Sequence, residues 1–313
     1  MKKLCLILCI LILVPFCVSL SSCNKNEAEG KYITFSDSAG NVISLDERPK
    51  RVAVLFSSFA EIWTLSGGEV YATVYESVER GIVPKGTSLV DSGAGKTVST
   101  ELLISLNPDL VIGSCDIPAQ VKCADILKKA GIPCALMRVE SFDDYLNMLN
   151  ICADITGNRD AYKKYGTDIK KEIDNILSSV PENQEKPKIL FIRGGSTPRS
   201  VKAKNHENNF VCYMLRELNT YNIADNAPLL LDGLSLEEIL REDPCMIFLS
   251  TMGDEAAARE NLDAIMSSEG YASLSAVKNG RVYYLPKDMF QYKPNAKWAE
   301  AYQYLSEIIY ESN

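Results

Sequence analysis

The chain has 313 residues, 33 basic and 41 acidic, a net charge of −8 and a single histidine. An acidic chain gains nothing non-specifically from a phosphate backbone, which argues against nucleic acid as a partner. With one histidine, a bare metal site built on several is impossible, and any Ser-His-Asp or Cys-His device must use His206, which lies in a polar run.

In chain order, Met1-Lys2-Lys3 precede an apolar run from Leu4 to Val18 and then Leu20-Ser21-Ser22-Cys23. A basic start, a short apolar core and small residues before a cleavage point read as an export signal too short for a comfortable membrane span. The ending resembles the lipobox of bacterial lipoproteins. The resemblance implies that Cys23 carries the lipid, becomes the first mature residue and is held to a membrane by acyl chains. Losing Lys2 and Lys3 with the leader takes the charge from −8 to −10. Three of the ten cysteines leave as well, and the six that remain besides Cys23 show no zinc-like spacing. No disulfide framework is expected, and Cys134 and Cys245 read as core thiols.

Residues 23–31 read as a tether. Tyr32–Phe35 and Asn41–Leu45 flank a turn and predict a hairpin. Strands are predicted at 51–56, 70–74, 110–112 and 133–137, with helices from Ala60 to Ser66, around 103–106 and over 119–130. That alternation points to a parallel sheet with crossover helices. From Asp143 to Val180 the pattern is helical only, broken at Gly157-Asn158, and the second piece could span about 30 Å. Strands resume at 188–192, 246–249 and 281–285, and a last helix covers 297–310. The expected fold is α/β, with two parallel-sheet lobes joined by one long inter-lobe helix and a ligand cleft between them. The boundaries are 1–22 signal, 23–31 tether, 32–158 first lobe, 159–181 linking helix and 182–313 second lobe.

An internal repeat supports two lobes. Residues 99–112 align without gaps on 235–248, an offset of 136, with Ser, Glu and Pro coincident. Each copy reads as a serine N-cap, a short helix, a proline turn and a buried strand.

The lipobox, the Ser-x-Glu of Glu101 followed by Pro108-Asp109-Leu110-Val111-Ile112, Asn222-Ile223-Ala224 before the Ser-x-Glu of Glu237, and Gly280-Arg281-Val282-Tyr283 carry a further resemblance. From about Ile33 to the C-terminus the chain resembles substrate-binding lipoproteins of bacterial ABC importers, in the rigid-helix class that includes ferric-siderophore, haem and cobalamin binders. The resemblance implies a non-enzymatic monomer, lipid-anchored and facing outside the cytoplasm. It would capture a small-molecule metal complex and deliver it to permease subunits, with no cofactor or metal site of its own. Glu101 and Glu237 match the positions where one glutamate per lobe docks permease arginines; each also suits the start of a helix by charge alone.

For the ligand, the basic loop with Arg193, Arg199, Lys202 and Lys204 is the leading candidate, joined by Tyr292 and Lys293 and by the strand-end residues Ser57 and Ser114. Arginine suits oxyanions bidentately, and Gly194-Gly195 would let backbone approach a ligand. An anionic ferric siderophore is the expected cargo. Haem or a corrinoid is the alternative, although haem would be expected to leave a better axial ligand than His206. Trp298 reads as packing, Trp63 as core or cleft. An exported α/β hydrolase is disfavoured by the missing Gly-x-Ser-x-Gly elbow, and a sensory receptor lobe by the absence of a downstream span.

Overall fold

A computed structural model of the chain describes residues 30–91, 97–181 and 185–311. The leader, Cys23, most of the tether and most of the Gly-rich segment after Asp91 lie outside those residues. Strands β1 (Ile33–Ser36) and β2 (Val42–Leu45) form the expected antiparallel hairpin. Its turn is anchored by the buried Asp37 carboxylate, which accepts from the Ala39, Asn41 and Leu136 amides at 3.0, 2.7 and 2.9 Å.

The first lobe follows as β3 (Val52–Val54), α1 (Ser57–Leu65), β4 (Val70–Thr73), α2 (Tyr75–Glu79), β5 (Ser88–Leu89), α3 (Thr100–Leu106), β6 (Leu110–Ser114), α4 (Pro118–Lys129) and β7 (Cys134–Met137). Its five strands are parallel in the order β5-β4-β3-β6-β7. The order reverses between β3 and β6, the kind of switch point beyond which ligands sit in such sheets.

Helix α5 (Phe142–Thr156) opens on a Ser141–Asp144 capping box and ends at Gly157 in a left-handed conformation. The linking helix is continuous from α6 (Arg159–Tyr162) through a π-helical turn at Lys163–Thr167 into α7 (Asp168–Ser178). Gly166 explains the close approach at that turn, since a Cβ there would lie 3.0 Å from Leu146. Tyr145 Oη donates to the Tyr165 carbonyl at 2.9 Å.

The second lobe comprises β8 (Lys188–Gly194), β9 (Lys202–Ala203), α8 (Phe210–Glu217), β10 (Tyr221–Asn222), α9 (Pro228–Asp232), α10 (Leu236–Glu242), β11 (Met246–Thr251), α11 (Glu255–Met266), α12 (Glu269–Ala272), α13 (Ser275–Lys278), β12 (Val282–Tyr284) and α14 (Lys287–Phe290). The parallel order is β10-β8-β11-β12, with β9 antiparallel on the upper part of β8. The hairpin to β9 had no strand signal, because its polar residues carry no alternation.

The repeat holds residue for residue in the structure. α3 and α10 have the same length at the offset of 136, and Asn107 and Asp243 close them with φ of 46° and 44°. The caps differ. Ser99 Oγ accepts from the Leu102 amide at 3.2 Å, whereas Ser235 makes no side-chain cap.

The join between the lobes is broader than one helix. α15 (Trp298–Tyr310), expected within the second lobe, packs along α7 instead. One apolar cluster runs from β3 through α5 and α15 to β8 and β11. Trp298 is fully buried at its centre, 5.9 Å centroid to centroid from both Phe142 and Phe210, as the packing expectation required. Trp63 is core too, with Nε1 donating to the Glu69 carbonyl at 2.9 Å. A shared close-packed core resists wide opening, because its interdigitated side chains cannot part cheaply. All six described cysteines are free. Burial pushes Cys134 and Cys152 up to about 12, as expected of inert core thiols, while Cys245 is only half-buried at the foot of β11.

Candidate functional site

Residues that follow strands of both sheets meet between the lobes, and two polar clusters form there. The first gathers around α1. Ser57, expected at a strand end with access to ligand, occupies the first turn of α1 with Ser58, and both are fully buried. Ser57 Oγ donates to Glu76 and receives Arg80 Nη1 at 3.1 Å, so its hydroxyl is engaged within the protein. Arg80 pairs with Glu61 at 2.8 Å and lies over the Tyr292 ring at 4.1 Å, while Lys287 lies over the same ring at 5.5 Å. Asn295, buried and left-handed at φ 52°, donates through Nδ2 to the Ser58 carbonyl at 3.0 Å and to Glu61 at 2.9 Å. These bonds pin the segment after β12 to the first lobe, a second crossing between the lobes.

The second cluster crosses the cleft. Glu140, after β7, accepts from Lys293 Nζ at 2.8 Å, and that ammonium also lies over the Phe210 ring at 4.5 Å. Arg138 pairs with Asp116 at 3.6 Å and reaches the Glu207 carbonyl at 3.4 Å. Lys293, expected as a free cation, therefore already has its counter-ion. Burial lowers its pKa, and attraction to Glu140 opposes the fall. Burial, then Glu140, raises that of Asp116.

Three cations of the basic loop share one sheet face. Arg193 on β8 pairs in register with Lys202 on β9 and with Ser250 on β11, and Lys204 lies two residues beyond Lys202. Among the described residues, neither Arg193 nor Lys204 has an acidic side chain in contact. Burial lowers the pKa of Arg193; burial, then repulsion from Arg193 and Lys202, lowers that of Lys204. Ser250 Oγ is buried without a hydrogen-bond partner. Glu140 attracts both at longer range but is already bonded to Lys293, so the two desolvated cations share an acid that none of the ion pairs gives to either of them.

Other candidates fall elsewhere. Arg199 is exposed on the turn after β8, with no ion pair among the described residues. Ser114 is buried, its Oγ accepting from the Asp116 amide at 3.2 Å. Gly194 and Gly195 serve packing rather than ligand approach: a Cβ on Gly194 would lie 2.6 Å from Leu262, and one on Gly195 2.3 Å from Ser200. His206, expected to be solvated, is half-buried, with Nδ1 2.9 Å from Asp225. No cluster of metal-ligating residues occurs among the described residues. Asp116, Arg138 and Glu140 follow β6 and β7, and strand-end position is the signal that could have found them; Arg80, at the end of α2, carries no such signal.

Comparison with known proteins agrees with this architecture. YhfQ of Bacillus subtilis strain 168, named provisionally as an ABC transporter substrate-binding lipoprotein, is 24% identical over 318 residues, 96% of each chain. The periplasmic heme-binding protein RhuT from Roseiflexus sp. RS-1 superposes with a TM-score of 0.68 at 19% identity, covering 84% of this chain and 98% of its own. IsdE of S. aureus, solved with heme, gives 0.68 at 14% identity over 83% and 98%. These structures share the two-lobe fold. With residues 52–289 matching its family profile, the chain belongs to the periplasmic binding protein family and is an ABC transporter substrate-binding protein.

Proposed function

We propose that the protein captures an anionic iron complex, of the ferric-siderophore kind, outside the cytoplasm and hands it to a membrane permease. The observation that carries this reading is the charge balance of the cleft. Arg80, Arg138 and Lys293 are each paired with a carboxylate, while Arg193 and Lys204 are partly desolvated, have no ion pair among the described residues and feel Glu140 only at longer range. In a chain of net charge −8, that local excess opposes the global field and marks where an anion is stabilised. Binding needs no covalent chemistry. Cys23 would hold the protein to the membrane, and Glu101 with Glu237 would meet permease cations.

Titration calorimetry with ferric citrate, a ferric hydroxamate, a ferric catecholate and haemin tests the reading. A charge-assisted contact is worth about 1.5–3 kcal/mol. Arg193→Gln should therefore weaken an anionic chelate by about one to two orders of magnitude. Absence of binding by every ferric chelate, or an unchanged affinity in Arg193→Gln, overturns it. A haem reading has one observation in its favour: His206 Nδ1 lies 2.9 Å from Asp225, which orients the ring as a carboxylate on the far nitrogen does for metal-bound histidines. A Soret shift with haemin that His206→Ala abolishes would select it.

A further inference from the structure

We infer that Ile104 and Leu240 are the apolar anchors of a two-point docking surface whose partner presents, twice, a cationic side chain beside an apolar hollow. The inference rests on the transporter reading and adds to the glutamates a contact of different chemistry. Glu101 and Ile104 lie three residues apart on α3, and Glu237 and Leu240 three apart on α10, so each pair shares a helix face. All four are exposed, Ile104 by 36% and Leu240 by 40%. Between them Leu103 and Ile239 are fully buried, and Pro108 and Pro244 are buried beyond. Burial, charge and left-handed caps thus repeat together at the offset of 136.

Five of the nine exposed large hydrophobics among the described residues fall on or beside these two short helices: Leu102, Ile104, Leu229, Leu236 and Leu240. Leu236 packs in part against Gly270, and the other four keep 36–65% of their surface open among the described residues. A second copy of the chain is a poor occupant, because glutamate would face glutamate. An anionic lipid surface is repelled for the same reason. A two-fold membrane protein, either two copies of one permease subunit or two similar subunits, matches a surface that is itself duplicated. Crossover helices run antiparallel to the strands they serve, so the first turns of α3 and α10 lie at the carboxyl edge of each sheet, beside the cleft. A partner bridging both would cover the cleft opening.

The test places a photo-crosslinking p-benzoylphenylalanine at 101, 104, 237 or 240 of the full lipid-anchored chain in producing cells. Position 126, an exposed isoleucine on α4, is the control. Mass spectrometry identifies the adducts. Expected are adducts with a multispan permease subunit from 104 and 240, and none from 126. Ile104→Ser with Leu240→Ser should lower recovery of that subunit about tenfold, with Tm and ferric citrate affinity unchanged. Permease adducts from 101 and 237 alone would overturn this inference and leave the transporter reading standing. Adducts with a second copy or with lipid, yields equal to the control, or an undiminished recovery in the serine variant also overturn it. No permease adduct from any position overturns both.

Discussion

Replacing Glu140 by glutamine should make the protein less stable and a better anion binder. The Glu140–Lys293 contact is 2.8 Å, with side-chain exposures of 22% and 12%, so the pair is largely desolvated. Removing one partner of such a pair strands the other, at about 3–5 kcal/mol. Residual exposure and the ease with which a buried lysine sheds its proton favour the lower end, about 3 kcal/mol. For a chain of this size each kcal/mol moves Tm by about 2–4 °C, giving a fall of about 6–12 °C. The freed ammonium lies in the cleft, where a charge-assisted contact of about 1.5–3 kcal/mol becomes available to a ligand. Affinity for ferric citrate should therefore rise about tenfold or more. Adding Lys293→Met should recover most of the lost stability, since the stranded ammonium is then gone, and should remove the gain in affinity. Calorimetry reads both quantities on one sample. An unchanged Tm in Glu140→Gln would show that the pair is not desolvated in solution. A lowered Tm with unchanged affinity would show that Lys293 lies off the ligand's path.

Asn295→Ala should cost about 2–3 kcal/mol in denaturant unfolding, because two buried inter-lobe hydrogen bonds are lost and a residue that tolerates positive φ is replaced by one that does not. Burial raises the Glu217 carboxyl above its ordinary 4.5, with the Tyr302 hydroxyl donating to it in opposition. The native state therefore holds a proton that the unfolded chain releases, so stability falls as pH rises from 4.5 through the raised value. Glu217→Gln should flatten that slope in thermal melts across the acid range; an identical slope refutes the assignment. Cys23→Ala should abolish incorporation of labelled fatty acid and release the protein from membranes. Equal labelling of the variant would show that the leader has been misread.

Local pattern was enough for the principal strands, the long helices and their order, though not for short elements such as β5, β9 and β10. The hairpin, both parallel sheets, the helical stretch after Asp143 and the repeat all follow from periodicity, turn residues and caps within a dozen residues of one another. The equivalence of Glu101 and Glu237 was legible the same way, because the repeat is a relation between short segments. The charge state of the cleft could not be found so. Glu140 and Lys293 are 153 residues apart, and nothing near either predicts that they neutralise each other and leave Arg193 and Lys204 without an ion pair among the described residues. The glycines of the basic loop pack against Leu262 and Ser200, which only the folded chain brings near. α15 looked like the tail of the second lobe and instead completes a core common to both. Backbone periodicity is a short-range property and is written along the chain. Charge compensation and packing depend on which distant side chains share a space, and folding alone brings them together.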